Sequence, residues 1–376
     1  MTPLRSSTTA HRVLLALVTA LLAASACAKP DNAASDSNKV PPMSAEAPAA
    51  TAMTPKAMGT PDAEMQAVLD ELAALHGKPI ESLTAVEARK QPTPADAVMK
   101  LLVKQGKPTT PPPGATMTTR KVPGAAGQLS ANIYTPDGAG PFPVIVYFHG
   151  GGWVIANKDI YDGGARALAI GAKAVVVSAD YRRGPEAKFP AAHDDAIAVY
   201  DWACKNAASI KGDPKRMALV GESAGGGLAV ATAIAARDKS MPKPLAVVVA
   251  YPIAMGDTAS ATYVENANAK PLSRAMMSWF FENYLRSAAD RADPRINLVA
   301  ADLKGLPPVT IINAQIDPLR GDGELLAERI RAVGGSVEQK TYEGVTHEFF
   351  GMGAVLAKAR DAEAQAVDAL KKAFGA

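Results

Sequence analysis

The stretch Ala218 to Val230, "ALVGESAGGGLAV", runs an apolar strand into a glycine-flanked serine and then directly into an apolar helix. Few folds tolerate such a junction. The turn has to be sharp, so Gly221 and Gly225 remove the Cβ atoms that would collide across it. The following helix aims its N-terminus at Ser223, where developing negative charge is favoured. No Lys-Ser/Thr pair follows the glycines, which excludes a Walker-type phosphate loop. A G-x-S-x-G run between strand and helix is the pattern that lifts a serine hydroxyl above a parallel sheet.

The rest of the chain supplies that sheet. Strands are expected at Thr116 to Val122, Leu129 to Tyr134, Val144 to Phe148, Ala174 to Ala179, Met217 to Val220, Ala246 to Ala250, Val309 to Ala314 and Val337 to Tyr342. Most are continuous Val/Ile-rich runs, as parallel strands covered on both faces require. Helical patterns fall between them at about 162–171, 191–206, 225–237, 323–332 and 354–373. The alternation predicts an α/β three-layer sandwich with a mostly parallel central sheet. Residues 255–300 exceed an ordinary crossover and hold a helix whose Met276, Met277, Phe280, Phe281 and Tyr284 read as exposed at mixed spacing, as a local core, or as both. An insertion on the carboxyl side of the sheet is where substrate-shaping segments belong.

A serine hydroxyl is a poor nucleophile until a base takes its proton. Among the five histidines, only His347, in "YEGVTHEFFGM", follows the last strand at the carboxyl edge of the sheet. That is its place in the order serine, acid, histidine. Asp317 ends a strand in "QIDPLRGDGE" at the same edge and is the candidate acid; Asp322 fits better as an N-cap of the next helix. The run "YFHGGGW" places Gly150, Gly151 and Gly152 after a buried strand. Attack on a carbonyl creates an oxyanion that needs backbone N–H donors. Bare glycine backbone at Gly151 and Gly152, with the amide of Ala224, can supply them. His149 is expected to brace that loop.

The N-terminal region differs in kind. Arg5, His11 and Arg12 precede an uncharged stretch, Val13 to Ala26, too short to span a bilayer comfortably. Residues 1–27 read as a signal peptide and 28–60 as an Ala/Pro/Ser-rich tether, so export is expected, to the periplasm or to an outer-membrane anchor. Cys27 leaves two readings open: a lipid-modified anchor, or a residue at or near a signal-peptidase site. Only Cys204 accompanies it, so no internal disulfide framework is expected in the processed chain. From Pro61 to Gly106 two amphipathic helices are expected, with Thr60 as an N-cap and Gly77 as a stop for the first. A formal charge of +3 over 376 residues, without a basic run, gives no reason to expect a nucleic-acid partner.

"HGGGW", "SADYRRGPEAKFPAAHDD", "GESAGG", "DPLRGDGE" and "YEGVTHEFFGM" together resemble the hormone-sensitive-lipase-like (bacterial family IV) esterases of the α/β-hydrolase superfamily. The resemblance spans about Pro61 to the C-terminus. It implies a helical cap made from residues 61–106 and the 255–300 insertion over a hydrolase domain at 107–376. It also implies cleavage of small carboxylic esters of short to medium chain length, with no metal or cofactor. Glu348 stands where that family usually has glycine, Glu222 where aspartate is common, and Arg183, Gly184 and Lys188 also depart from its pattern. None of these removes Ser223, Asp317 or His347. Two other readings use the same fold: a non-catalytic ligand receptor, against which the presence of His347 counts, and an amidase or peptidase with the same three residues.

Overall fold

The computed structural model describes residues 57–375. The expected signal segment, most of the tether and Cys27 lie outside the described residues. After Asp62 the chain forms α1 (Ala63–Ala74), α2 (Ala85–Ala88) and α3 (Pro94–Lys104). The N-cap of α1 is Asp62, not Thr60: its carboxylate accepts the Met65 amide at 2.9 Å. The helix closes at Leu75 rather than at Gly77. Thr93 caps α3 in a reciprocal box with Asp96, and Pro94 occupies the first turn, where its missing N–H costs nothing.

The strands and helices then alternate as β1 (Ala115–Gly124), β2 (Gly127–Pro136), β3 (Phe142–Phe148), α4 (Asp162–Gly171), β4 (Val175–Ala179), α5 (Ala191–Asn206), β5 (Gly212–Glu222), α6 (Ala224–Asp238) and β6 (Val247–Ala250). They continue through α7 (Ala261–Glu265), α8 (Arg274–Tyr284), β7 (Val309–Ile316), α9 (Arg320–Ala332), β8 (Val337–Thr346) and α10 (Ala357–Phe374). The eight strands form one sheet in the order β1-β2-β4-β3-β5-β6-β7-β8, with β1 and β8 at its edges. Pairing is parallel from β4 through β8 and antiparallel from β1 to β2 and from β2 to β4. The first of these is local: in β1 and β2 Gly124 pairs with Gly127, and so short a connection can only return the chain antiparallel.

Side-chain alternation divides the core in two. Val144, Val146 and Phe148 of β3 join the apolar faces of α5, α6 and α9, while Ile145 and Tyr147 join those of α4 and α10. Period-two strands covered on both faces produce three layers, α/β/α. Each fully buried Val or Ile here contributes about 1.5–3 kcal/mol of transfer free energy. The aromatic residues of the long insertion are not exposed. Met277, Phe280, Phe281 and Tyr284 of α8 are buried, and Met276 is half-buried. Phe281 and Tyr284 pack on Trp153, and Tyr284 also on Phe189 and His193, so this helix carries its own core down onto the main domain. Among the described residues, no helix is long and apolar enough to cross a membrane.

Candidate active site

Ser223 sits at φ +55° and ψ −119°, a strained conformation for a residue with a Cβ, at the step from β5 into α6. Such strain costs on the order of 1–3 kcal/mol and persists only where the surroundings over-determine it. They do so here. A Cβ on Gly221 would overlap the Gly225 carbonyl, and one on Gly225 would overlap the Phe148 carbonyl, so neither position admits another residue. The Ser223 amide donates to the Ala250 carbonyl at 2.9 Å, and the Ser223 carbonyl accepts from Ile253 at 3.1 Å and Gly227 at 3.2 Å. The side chain of Ser223 does not cap α6, which leaves the first-turn amides of that helix facing outward from its N-terminus.

The three residues expected to cooperate are brought into one line. His347 Nε2 lies 3.0 Å from Ser223 Oγ, and His347 Nδ1 lies 2.7 Å from Asp317 Oδ2. All three are buried. Asp317 leaves β7, and its other oxygen accepts the Leu319 amide at 2.8 Å, which fixes the carboxylate's rotation. Burial works against a charged His347 ring. The Asp317 charge and hydrogen bond, with the nearby Glu348 carboxylate, outweigh it and hold the His347 pKa above the ordinary histidine value. Chemically, such an arrangement can orient a neutral imidazole for proton abstraction and stabilise the imidazolium that results.

Asp322, expected as the N-cap of α9, does something else. The helix begins at Arg320 behind Leu319, and Asp322 is buried inside its first turn. One carboxylate oxygen accepts the amides of Ala254 at 2.9 Å and Met255 at 2.8 Å. It therefore fastens the chain leaving β6, and burial keeps its pKa well above the usual carboxylate range despite those two donors.

The glycine loop after β3 is shaped by what approaches it. Gly151 and Gly152 have φ of +96° and +58°. A Cβ on Gly152 would overlap the Phe280 ring, one on Gly151 the Ile155 carbonyl, and one on Gly150 the Tyr161 hydroxyl. The Gly151 carbonyl accepts from Val154 and Ile155 at 3.0 and 2.9 Å, closing a tight turn. His149 Nδ1–H donates to the Gly150 carbonyl at 2.8 Å, and its ring stacks on Tyr181 with centroids 4.2 Å apart. Tyr181 donates to the carbonyls of His149 and Gly150 at 2.8 and 3.2 Å. Burial lowers the His149 pKa to about 4, against the pull of Asp180, so the ring is neutral at pH 7. His193 lies apart from this site, bonded to the Tyr284 hydroxyl and the Arg295 carbonyl.

Four further residues complete the site. Arg89, at the end of α2, donates to the carbonyls of Val154 at 2.8 Å and Gly184 at 2.5 Å and pairs with Glu186 at 2.7 Å. It thereby ties the N-terminal helices to the glycine loop. Glu222, beside the nucleophile, accepts from the hydroxyls of Tyr147 and Tyr251. Burial pushes its pKa up to about 8, against both of those hydrogen bonds. Tyr161 donates to Glu348 Oε1 at 2.5 Å, and that same oxygen is 3.9 Å from His347 Nε2. Only Glu222 and Glu348 had any sequence signal, as departures from a family pattern.

Above the serine is a cavity of about 500 Å³, lined by Gly151, Gly152, Ser223, His347 and Glu348 at its floor. Leu69, Leu72 and Ile80 of the N-terminal segment and Leu272, Met276 and Phe280 of the insertion form its walls. Among the described residues, no cluster of three His, Cys, Asp or Glu side chains is arranged to hold a metal ion.

The molecule has close relatives in sequence and shape. Residues 145–351 match the Abhydrolase_3 family model, described as the alpha/beta hydrolase fold. Carboxylesterase NlhH of Mycobacterium tuberculosis is 40% identical over 238 residues, 62% of this chain and 75% of that protein. Ethyl acetate hydrolase of Pseudomonas putida is 30% identical over 322 residues, 83% of this chain and 98% of that protein. A hyperthermophilic esterase from the archaeon Pyrobaculum calidifontis superposes with a TM-score of 0.76 at 32% identity, over 85% of this chain and 100% of that one. A serine turn and glycine loop of this geometry, on this sheet and among these relatives, place the chain in the hormone-sensitive-lipase-like family of alpha/beta hydrolases.

Proposed function

We propose that the protein is a serine carboxylesterase acting on small esters of short to medium chain length through an acyl-enzyme. Ser223 Oγ attacks the ester carbonyl carbon while His347 Nε2 takes its proton. Asp317 holds the imidazole by Nδ1 and stabilises it when charged. The oxyanion is received by the amides of Gly151, Gly152 and Ala224, with His149 and Tyr181 propping the loop that carries the first two. His347 then protonates the leaving alkoxide. Water resolves the acyl-enzyme by the same path in reverse, with the proton passing back to Ser223.

The observation that carries this reading is the unbroken line Asp317–His347–Ser223 at the floor of a largely apolar cavity. A ligand receptor has no use for a buried histidine aligned between a carboxylate and a strained serine. The ester activity named for several relatives, including the ethyl acetate hydrolase, supports the same class. The test is hydrolysis of nitrophenyl esters from acetate to palmitate by the protein and by Ser223→Ala. Turnover peaking at short acyl chains and falling by about 10⁴–10⁶-fold in the variant is expected. A variant that is folded and still turns over esters would overturn the assignment.

A further inference from the structure

Glu348 is the neighbour of the base, and its position is costly. It is held at φ +71°, a left-handed conformation that penalises any residue with a Cβ. Its side chain is 20% exposed, lines the cavity, and is fixed by the Tyr161 hydroxyl at 2.5 Å. The oxygen that Tyr161 holds is 3.9 Å from His347 Nε2, and Nε2 is also the atom that faces Ser223. A separation of 3.9 Å is too long for a direct hydrogen bond. It suits a single water making a bond of ~2.8 Å to each side.

We propose that Glu348 positions the water that resolves the acyl-enzyme. The proposal rests on the Ser223 acyl-enzyme reading and assigns a role to a residue outside the three that perform it. Once the alcohol has left, a water on the cavity side of His347 directs one O–H at Nε2 and the other at Glu348 Oε1. Its lone pair is thereby turned toward the acyl carbon on Ser223. As the new C–O bond forms, one water proton moves to Nε2 and the other remains on the oxygen that becomes the product's carboxyl group. The bond from carbon to Ser223 Oγ then breaks, and Oγ recovers the proton from His347. Glu348 accepts a hydrogen bond throughout and neither gains nor loses a proton. Tyr161 is needed to stop the carboxylate swinging onto the imidazolium itself.

An alcohol distinguishes this role from a structural one. Methanol can deacylate the enzyme by giving its single O–H to His347, and it has no second O–H for Glu348. The experiment compares the protein with Glu348→Gln, Glu348→Gly and Tyr161→Phe on nitrophenyl butyrate, with and without methanol. Glu348→Gly also relieves the backbone strain, so its folding is secure. In Glu348→Gly, kcat is expected to fall about tenfold or more and KM to fall with it, while kcat/KM falls far less; Glu348→Gln, whose amide oxygen can still accept from the water, should lose less in the same pattern. A burst of nitrophenol should appear, and the ratio of methyl butyrate to butyrate should rise several-fold. Tyr161→Phe should move the ratio in the same direction by less. An unchanged product ratio, or kcat and kcat/KM falling together, would overturn the proposal. Should the unmodified protein form no methyl ester and no acyl-enzyme, the failure lies with the Ser223 reading instead.

Discussion

The floor and the roof of the cavity are built by opposite means. At the floor, Ser223, Asp317 and His347 stand at the carboxyl ends of β5, β7 and β8, where parallel pairing fixes each strand end relative to its neighbours. The roof is made of short helices from two distant parts of the chain, α1 to α3 and α8 with the segment leading into it. It is held down by particular side chains: the aromatic cluster of α8 on Trp153, and Arg89 on the carbonyls of Val154 and Gly184. Backbone ladders suit atoms that must stay within tenths of an ångström. Side-chain packing suits a surface whose shape is free to differ from one substrate to another.

Substitutions at the floor should therefore remove chemistry, and substitutions in the roof should redirect it. After Ser223→Ala, the largest effect is expected from Asp317→Asn. The amide can no longer hold the imidazole in the tautomer that accepts from Ser223, and kcat should fall on the order of 10³–10⁴-fold with the fold retained. Steady-state kinetics beside a thermal melt would check it, and a loss below tenfold would make Asp317 dispensable. In the roof, Phe280→Ala removes the ring that abuts Gly152 and should enlarge the cavity. Preference should then shift several-fold toward octanoate over acetate in a nitrophenyl series, with the acetate rate falling modestly. A uniform drop at every chain length would show that Phe280 supports the glycine loop instead of setting size.

The smallest effect belongs to Glu222, below the floor, and it reads out as stability. Its folded-state pKa of about 8 lies above the ordinary glutamate value of 4.5, so between those pH values the folded protein binds more protons than the unfolded chain. That contribution is complete below pH 4.5 and is lost as pH rises toward 8. Glu222→Gln, which cannot ionise, should flatten this part of the stability curve. Melting temperatures taken from pH 5 to 9 would show it, as a shift of a few degrees in the slope between the two proteins. Parallel curves would mean that the two tyrosine hydroxyls keep Glu222 ionised across the range.

The same contrast decides what could be read from the sequence. All eight strands and the five helices covering the sheet are close to where the periodicity puts them, because each is set by its own residues. Ser223, His347 and Asp317 were legible because chain order and the ends of strands identify them together. Asp322 was misread because its partners, the amides of Ala254 and Met255, arrive from a loop more than sixty residues earlier. α8 read both as exposed and as core because the rings it packs against, Trp153 and Phe189, belong to other parts of the chain. Arg89 and Tyr161 carried no signal at all. Their roles exist only once carbonyls and a carboxylate far along the chain have been folded against them.

A sheet that is not closed into a barrel has two outer strands, here β1 and β8 among the described residues, and the Asp62 amide covers part of the second by donating to the Gly344 carbonyl at 2.8 Å. β1 presents exposed Arg120, Lys121 and Pro123; β8 presents exposed Glu338, Lys340 and Glu343. A strand from another copy would have to bury charge against either margin, and beside β1 it would meet a proline with no amide to offer. Charge and proline along these margins thus work against the growth of ladders of stacked sheets.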